Sequence, residues 1–127
     1  MDYKNLYNQN LLDHYNHPRN KGSFKDANAK SGVYNPSCGD SIAIEAQIKD
    51  NIIIACKFQA SGCVISSAGA SVLVDKVIGL SIDQIMAFDK QTMLDLLQLK
   101  LGPTRLRCGL LPLEAVHNAL KEYQKEK

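Results

Sequence analysis

No apolar run in this sequence approaches the length of a membrane-spanning helix, and its first residues, Met1-Asp2-Tyr3-Lys4-Asn5, carry no signal-peptide pattern. A cytoplasmic location is the resulting expectation. Charge of one sign is also scarce: 15 Lys and Arg against 13 Asp and Glu leave a formal +2, too little to argue for nucleic acid or a membrane surface as partner. A glycine-rich phosphate loop is missing, and so is a serine-triad signature. The chain lacks internal repeats, linkers and low-complexity stretches, so residues 1–127 suit one domain, long enough to bury a core without disulfide staples. Cys-x-x-Cys pairs are absent too, so any cysteine-based ligand cluster has to be assembled by the tertiary fold.

The elements that are present alternate in period. Tyr3, Tyr7, Leu11 and Tyr15 recur every fourth position, with Leu6 and Leu12 widening the stripe, which predicts a helix over Tyr3 to Tyr15. His17-Pro18-Arg19-Asn20 ends it. A polar loop then leads to a short strand that closes at Asn35-Pro36. Ser41 to Lys49 alternates, with Ile42, Ile44, Ala46 and Ile48 on the buried face; after the Asp50-Asn51 turn, Ile54, Cys56, Phe58 and Ala60 continue it. Cys56 falls on that apolar face, where a free cysteine acts as a small hydrophobe.

Four helices follow in the reading. Val64 to Ile78 is one, small-residue rich, with Gly69 predicting close approach of a neighbour and Gly79 a C-terminal stop. Ser81 and Gln84 form a capping box for a short second one, and Asp89 or Thr92 starts a third that carries Met93, Leu94, Leu96 and Leu97. Gly102-Pro103 breaks the pattern, and a loop is predicted to deliver Cys108. Pro112, tolerated in a first turn, sets the last helix just behind it, with Leu113, Val116, Leu120 and Tyr123 on its apolar face. Helix, strands, then helices predict an α+β domain with a small antiparallel three-stranded sheet packed against the N-terminal helix and several C-terminal helices.

The chemistry-bearing residues are the cysteines and one aspartate. Asn35-Pro36-Ser37-Cys38-Gly39-Asp40 puts a thiol and a carboxylate two residues apart on a bend. Cys63 and Cys108 are each predicted at a helix start, where unpaired N–H groups and the helix dipole favour the thiolate that ligates metal and attacks sulfur. Three sulfurs and one oxygen make a four-coordinate set suited to zinc or a sulfur-bridged iron centre. Reduced cysteines in a cytoplasmic setting favour this over a disulfide framework. His14 and His17 lie on or beside the first helix, and His117 lies off the last apolar stripe, predicting a surface position.

Those residues carry a resemblance. The stretches Leu12-Asp13-His14-Tyr15-Asn16-His17-Pro18-Arg19-Asn20, Pro36-Ser37-Cys38-Gly39-Asp40, Phe58 to Ser67 around Gly62-Cys63, and Arg107-Cys108 resemble, in the same order, those of the IscU/SufU family of iron–sulfur cluster assembly proteins, also found as the N-terminal module of NifU. The resemblance implies an α+β scaffold, rather than a turnover enzyme, that accepts sulfur from a cysteine desulfurase and passes a transient [2Fe–2S] cluster to apo-acceptor proteins. It also implies that Cys38, Asp40, Cys63 and Cys108 bind zinc, iron or the nascent cluster. Cys108, at its expected loop–helix junction, is the first choice for the persulfide acceptor and Cys38 the second.

Two departures bear on this. Where the IscU branch usually has a histidine before the third cysteine, this chain has Arg107, as in the SufU branch. Arginine keeps its proton and cannot ligate. The segment that IscU proteins offer to an Hsp70-type chaperone reads Leu101-Gly102-Pro103-Thr104-Arg105, which retains only Leu101 and Pro103 and weakens that implied partnership. The stretch between Cys63 and Cys108 is, in turn, too short for the SufU insertion. A zinc-dependent sulfur acceptor of SufU type, with sulfurtransferase activity, is therefore the alternative reading, and a zinc-stabilised structural module is the third.

Overall fold

The computed structural model describes residues 9–36, 39–98 and 101–126, apart from the side chains of Pro103, Thr104 and Glu126. Tyr3, Leu6 and Tyr7 of the expected first helix, and Cys38, lie outside the described residues. Helix α1 (Gln9–Asn16) ends two residues before Pro18, and it buries Leu11 and His14. Tyr15, expected on the apolar stripe, is exposed. The reason is that α1 meets its neighbour along an i, i+3 line through Leu11 and His14, and Tyr15 falls beside that line.

Strands β1 (Ala29–Asn35), β2 (Asp40–Lys49) and β3 (Ile52–Ser61) form an antiparallel sheet in the order β1-β2-β3. Asp50 and Asn51, both at positive φ (53° and 67°), close the β2–β3 hairpin in two residues. That backbone hand matches the twist of the strands it joins. Ile42, Ile44, Ala46 and Ile48 are buried as expected, but β3 departs from simple alternation. Pairing slips by one residue between Gln47 and Ile48: Gln47 faces Ala55 while Ile48 faces Ile53. This bulge reverses the parity of the start of β3. Ile53 is buried and Ile54, expected inside, is 53% exposed, whereas Cys56 and Phe58 keep the buried face.

Helix α2 (Val64–Val77) runs through the middle of the molecule and packs against α1, β3, α4 and α5. Almost its whole circumference is buried, which explains its small side chains. A Cβ at Gly69 would lie 3.3 Å from Leu97 Cδ2 and 3.6 Å from Pro112 Cγ, the close approach that a mid-helix glycine implied. Helix α3 (Ile82–Met86) has the complete Ser81–Gln84 capping box, and α4 (Lys90–Leu97) is capped by Asp89 accepting from Thr92 N–H.

The last helix begins earlier than its sequence suggested. Helix α5 runs from Pro103 to Glu126. The Gly102 carbonyl accepts the first helical bonds, from Arg105 N (3.1 Å) and Leu106 N (2.9 Å). Two prolines competed for the first-turn position, and Pro103 holds it. Pro112 lies in the helix interior, where it has no N–H to offer the carbonyl four residues back, a local cost of about 3 kcal/mol. Its burial against α2, with Cγ 3.6 Å from where a Cβ of Gly69 would stand, offsets that cost. Cys108 is consequently in the second turn of α5 and buried, not on a loop–helix junction. The α+β architecture is the expected one: a three-stranded antiparallel sheet with an N-terminal helix and several C-terminal helices.

Candidate metal centre

Asp40, Cys63 and Cys108 reach one point from three elements. Asp40 opens β2, in register with Asn35 at the end of β1, and this pairing fixes where its carboxylate emerges. Cys63 is the N-cap of α2, with extended backbone (φ −77°, ψ 166°). Cys108 comes across from α5. One carboxylate oxygen and the two Sγ atoms all lie within 4.8 Å of one another. Cys38, the fourth residue of the expected set, lies outside the described residues.

A network of hydrogen bonds holds the carboxylate, which is only 1% exposed. Cys63 N–H donates to Asp40 Oδ1 at 2.9 Å. Asp40 Oδ2 accepts from Cys63 Sγ at 3.2 Å and from Ser66 Oγ at 3.0 Å. Gly62 makes this approach possible: at φ +131°, a Cβ there would lie 1.9 Å from Asp40 Oδ1 and 2.8 Å from Asp40 Cα. Only a residue without a side chain lets β2 and the start of α2 come this close.

The donor set fits a thiophilic cation. Zinc or iron in a tetrahedral site with sulfurs near 2.3 Å holds those sulfurs about 3.8 Å apart. Atoms within 4.8 Å therefore need to close by roughly an ångström or less. Two soft thiols and one carboxylate also exclude a dedicated magnesium or calcium site, which takes oxygen ligands. Exposure differs across the set: Cys63 is half-buried, whereas Cys108 is 6% exposed.

The remaining cysteine and the histidines take other roles. Cys56 is buried on the sheet, where burial pushes its thiol up to about 12. His14 Nδ1 lies 2.8 Å from Ser71 Oγ, which also accepts from Arg19 N–H at 2.9 Å. Burial, reinforced by the Arg19 charge, holds His14 below its ordinary value, and Asp75 and Asp13 oppose the shift. His117, expected at the surface, is part-buried because its Nε2–H donates to the Ile85 carbonyl at 2.9 Å, tying α5 to α3. Arg107 is exposed and lines a shallow recess with Tyr34, Asn35 and Glu114. Ser66 and Ser71 had been legible only as small residues for close packing. The one available hint was that Ser66 stands three positions after an N-cap cysteine, in the first turn of α2.

A family model for the NifU-like N-terminal domain matches residues 6–127. The chain belongs to this family of iron–sulfur cluster assembly scaffolds. It is 34% identical to the mitochondrial iron–sulfur cluster assembly protein 2 of Saccharomyces cerevisiae, over 95% of this chain and 80% of that one. It is 31% identical to the scaffold protein IscU of Escherichia coli, over 95% and 96%. Among solved structures, a NifU-like N-terminal protein of Brucella abortus superposes with a TM-score of 0.83 at 18% identity, over 98% of this chain and 99% of that one. A protein of Fervidobacterium islandicum AW-1 assigned as the SUF-system scaffold gives 0.78 at 23% identity, over 94% and 99%. At those identities the two structures speak for the fold. Among the described residues, no helix is long and apolar enough to cross a membrane.

Proposed function

We propose that this family member accepts sulfur from a cysteine desulfurase, binds iron, and assembles a [2Fe–2S] cluster on Cys38, Asp40, Cys63 and Cys108 for transfer to apo-acceptor proteins. The observation that carries the reading is the buried carboxylate with two thiols, all within 4.8 Å, in a fold shared with cluster scaffolds. A single oxygen ligand suits a cargo that has to leave, because a carboxylate holds a sulfur-rich iron centre less firmly than a fourth thiolate would. Sulfur arrives when a thiolate of this chain attacks the outer sulfur of the desulfurase persulfide and the desulfurase thiolate departs. Cys108 and Cys38 are the proposed acceptors. With Cys108 only 6% exposed, transfer to it requires the docked desulfurase to open the start of α5.

A second reading is favoured by Arg107, a non-ligating cation beside Cys108: the site holds zinc, and the protein serves the desulfurase as a sulfur acceptor of SufU type. One experiment divides the two. The protein is purified anaerobically, its metal is measured, and desulfurase, cysteine, ferrous iron and a thiol reductant, which takes the persulfide sulfur down to sulfide, are supplied while the visible spectrum is recorded. A sulfide-to-iron absorption band is the expected result. Retained zinc, no band and stimulated desulfurase turnover would replace the scaffold with the zinc-dependent acceptor.

A further inference from the structure

The carboxylate oxygen that Cys63 Sγ reaches has a second donor, which is not a sulfur. Ser66 is completely buried, and its hydroxyl donates to Asp40 Oδ2 at 3.0 Å. The same Oγ lies 3.3 Å from the Cys63 carbonyl and 3.5 Å from Cys63 Sγ. One hydroxyl has one proton, so it serves one of these acceptors fully at a time. We propose that Ser66 is a positioning residue that keeps Asp40 a weak ligand, by giving its Oδ2 a partner whenever the metal is away. This rests on the reading that Asp40 and Cys63 are ligands.

The physical case is one of competition. A buried carboxylate oxygen that loses its metal is costly unless a donor meets it, and a donor to a carboxylate makes a stronger hydrogen bond than one to a neutral carbonyl. With the metal absent, Oδ2 accepts from Ser66 O–H at 3.0 Å and from Cys63 S–H at 3.2 Å, and of the two only the Ser66 donor remains once Cys63 becomes the ligating thiolate. As a metal takes Oδ2, the hydroxyl turns to the Cys63 carbonyl or sulfur, both already within reach, so it is not left buried without an acceptor. Asp40 Oδ1 stays on Cys63 N–H at 2.9 Å, which orients the carboxylate to present the one oxygen that Ser66 guards. A metal that takes the Oδ2 lone pair used by Ser66 displaces that hydrogen bond, and its release restores it.

The test uses the full chain stripped of metal, with Zn²⁺ as probe and a chromophoric chelator as competitor. Ser66→Ala removes the competing donor, and it should bind Zn²⁺ roughly tenfold more tightly and surrender it correspondingly more slowly, the low end for one hydrogen bond to a carboxylate because the displaced hydroxyl finds another acceptor. In an Asp40→Ala background the same Ser66→Ala change should leave affinity unaltered. Thermal unfolding of the metal-free variants is followed alongside. Equal or weaker Zn²⁺ binding by Ser66→Ala, or an effect that persists without Asp40, would overturn the inference. Loss of Zn²⁺ binding by Ser66→Ala together with a lowered unfolding temperature would show a merely structural serine. If the unsubstituted protein takes up no Zn²⁺, or Asp40→Ala alone binds as the unsubstituted protein does, the ligand assignment fails first and takes the inference with it.

Discussion

Gly62→Ala perturbs the close approach on which the site depends, and its cost follows from the structure. At φ +131° an alanine is strained by about 1–3 kcal/mol before any contact is considered. Its Cβ would also stand 1.9 Å from Asp40 Oδ1 and 2.6 Å from Cγ. The carboxylate has to leave, giving up the bonds from Cys63 N–H (2.9 Å) and Ser66 Oγ (3.0 Å). Each bond to a carboxylate contributes about 1.5–3 kcal/mol. With partial relaxation, a loss of roughly 4–6 kcal/mol is expected, a large share of the total for a domain of this size. Gly79→Ala is the control: φ is +94°, but nothing lies within 4 Å of the added methyl. It should cost about 1–2 kcal/mol, the backbone part alone. Urea unfolding of metal-free protein, followed by circular dichroism, measures both. Losses within about 1 kcal/mol of each other would refute the claim that Asp40 and Gly62 share one space.

The bulge in the hairpin predicts that Ile53→Ala lowers stability by about 2–5 kcal/mol while Ile54→Ala changes it by about 0.5 kcal/mol or less; the reverse order would contradict the register. His14 is held below its unfolded value of 6.5. The unfolded chain therefore takes up the proton first as pH falls, and stability conferred by neutral His14 is full above pH 6.5 and declines below it. Between pH 7 and 5 the stability of His14→Gln should fall less steeply than that of the unsubstituted protein, and parallel slopes would contradict the assignment.

What the sequence allowed one to read depended on whether a pattern was local. The alternation of Ile42 to Ile48 and the Ser81–Gln84 box need only neighbouring residues, and both occur as written. The start of the last helix was misread because Pro103 and Pro112 are equally good first-turn residues on local grounds; packing of Pro112 on Gly69 decided between them. Ile54 was misassigned because one unpaired residue in a strand leaves no composition signal and yet reverses every side chain before it. At the centre, Asp40, Cys63 and Cys108 were each visible as chemistry, whereas Ser66 was not. Its role arises from a carboxylate 26 positions earlier in the chain, a proximity that only the tertiary fold creates.

The central claim is that a thiophilic metal sits among Cys38, Asp40, Cys63 and Cys108. X-ray absorption at the edge of whichever metal the anaerobically purified protein carries tests it most directly. Bound zinc should show three sulfurs near 2.3 Å and one oxygen near 2.0 Å, and Asp40→Ala should alter only the oxygen shell. A shell made of oxygen and nitrogen alone, or of four protein sulfurs, would contradict the account.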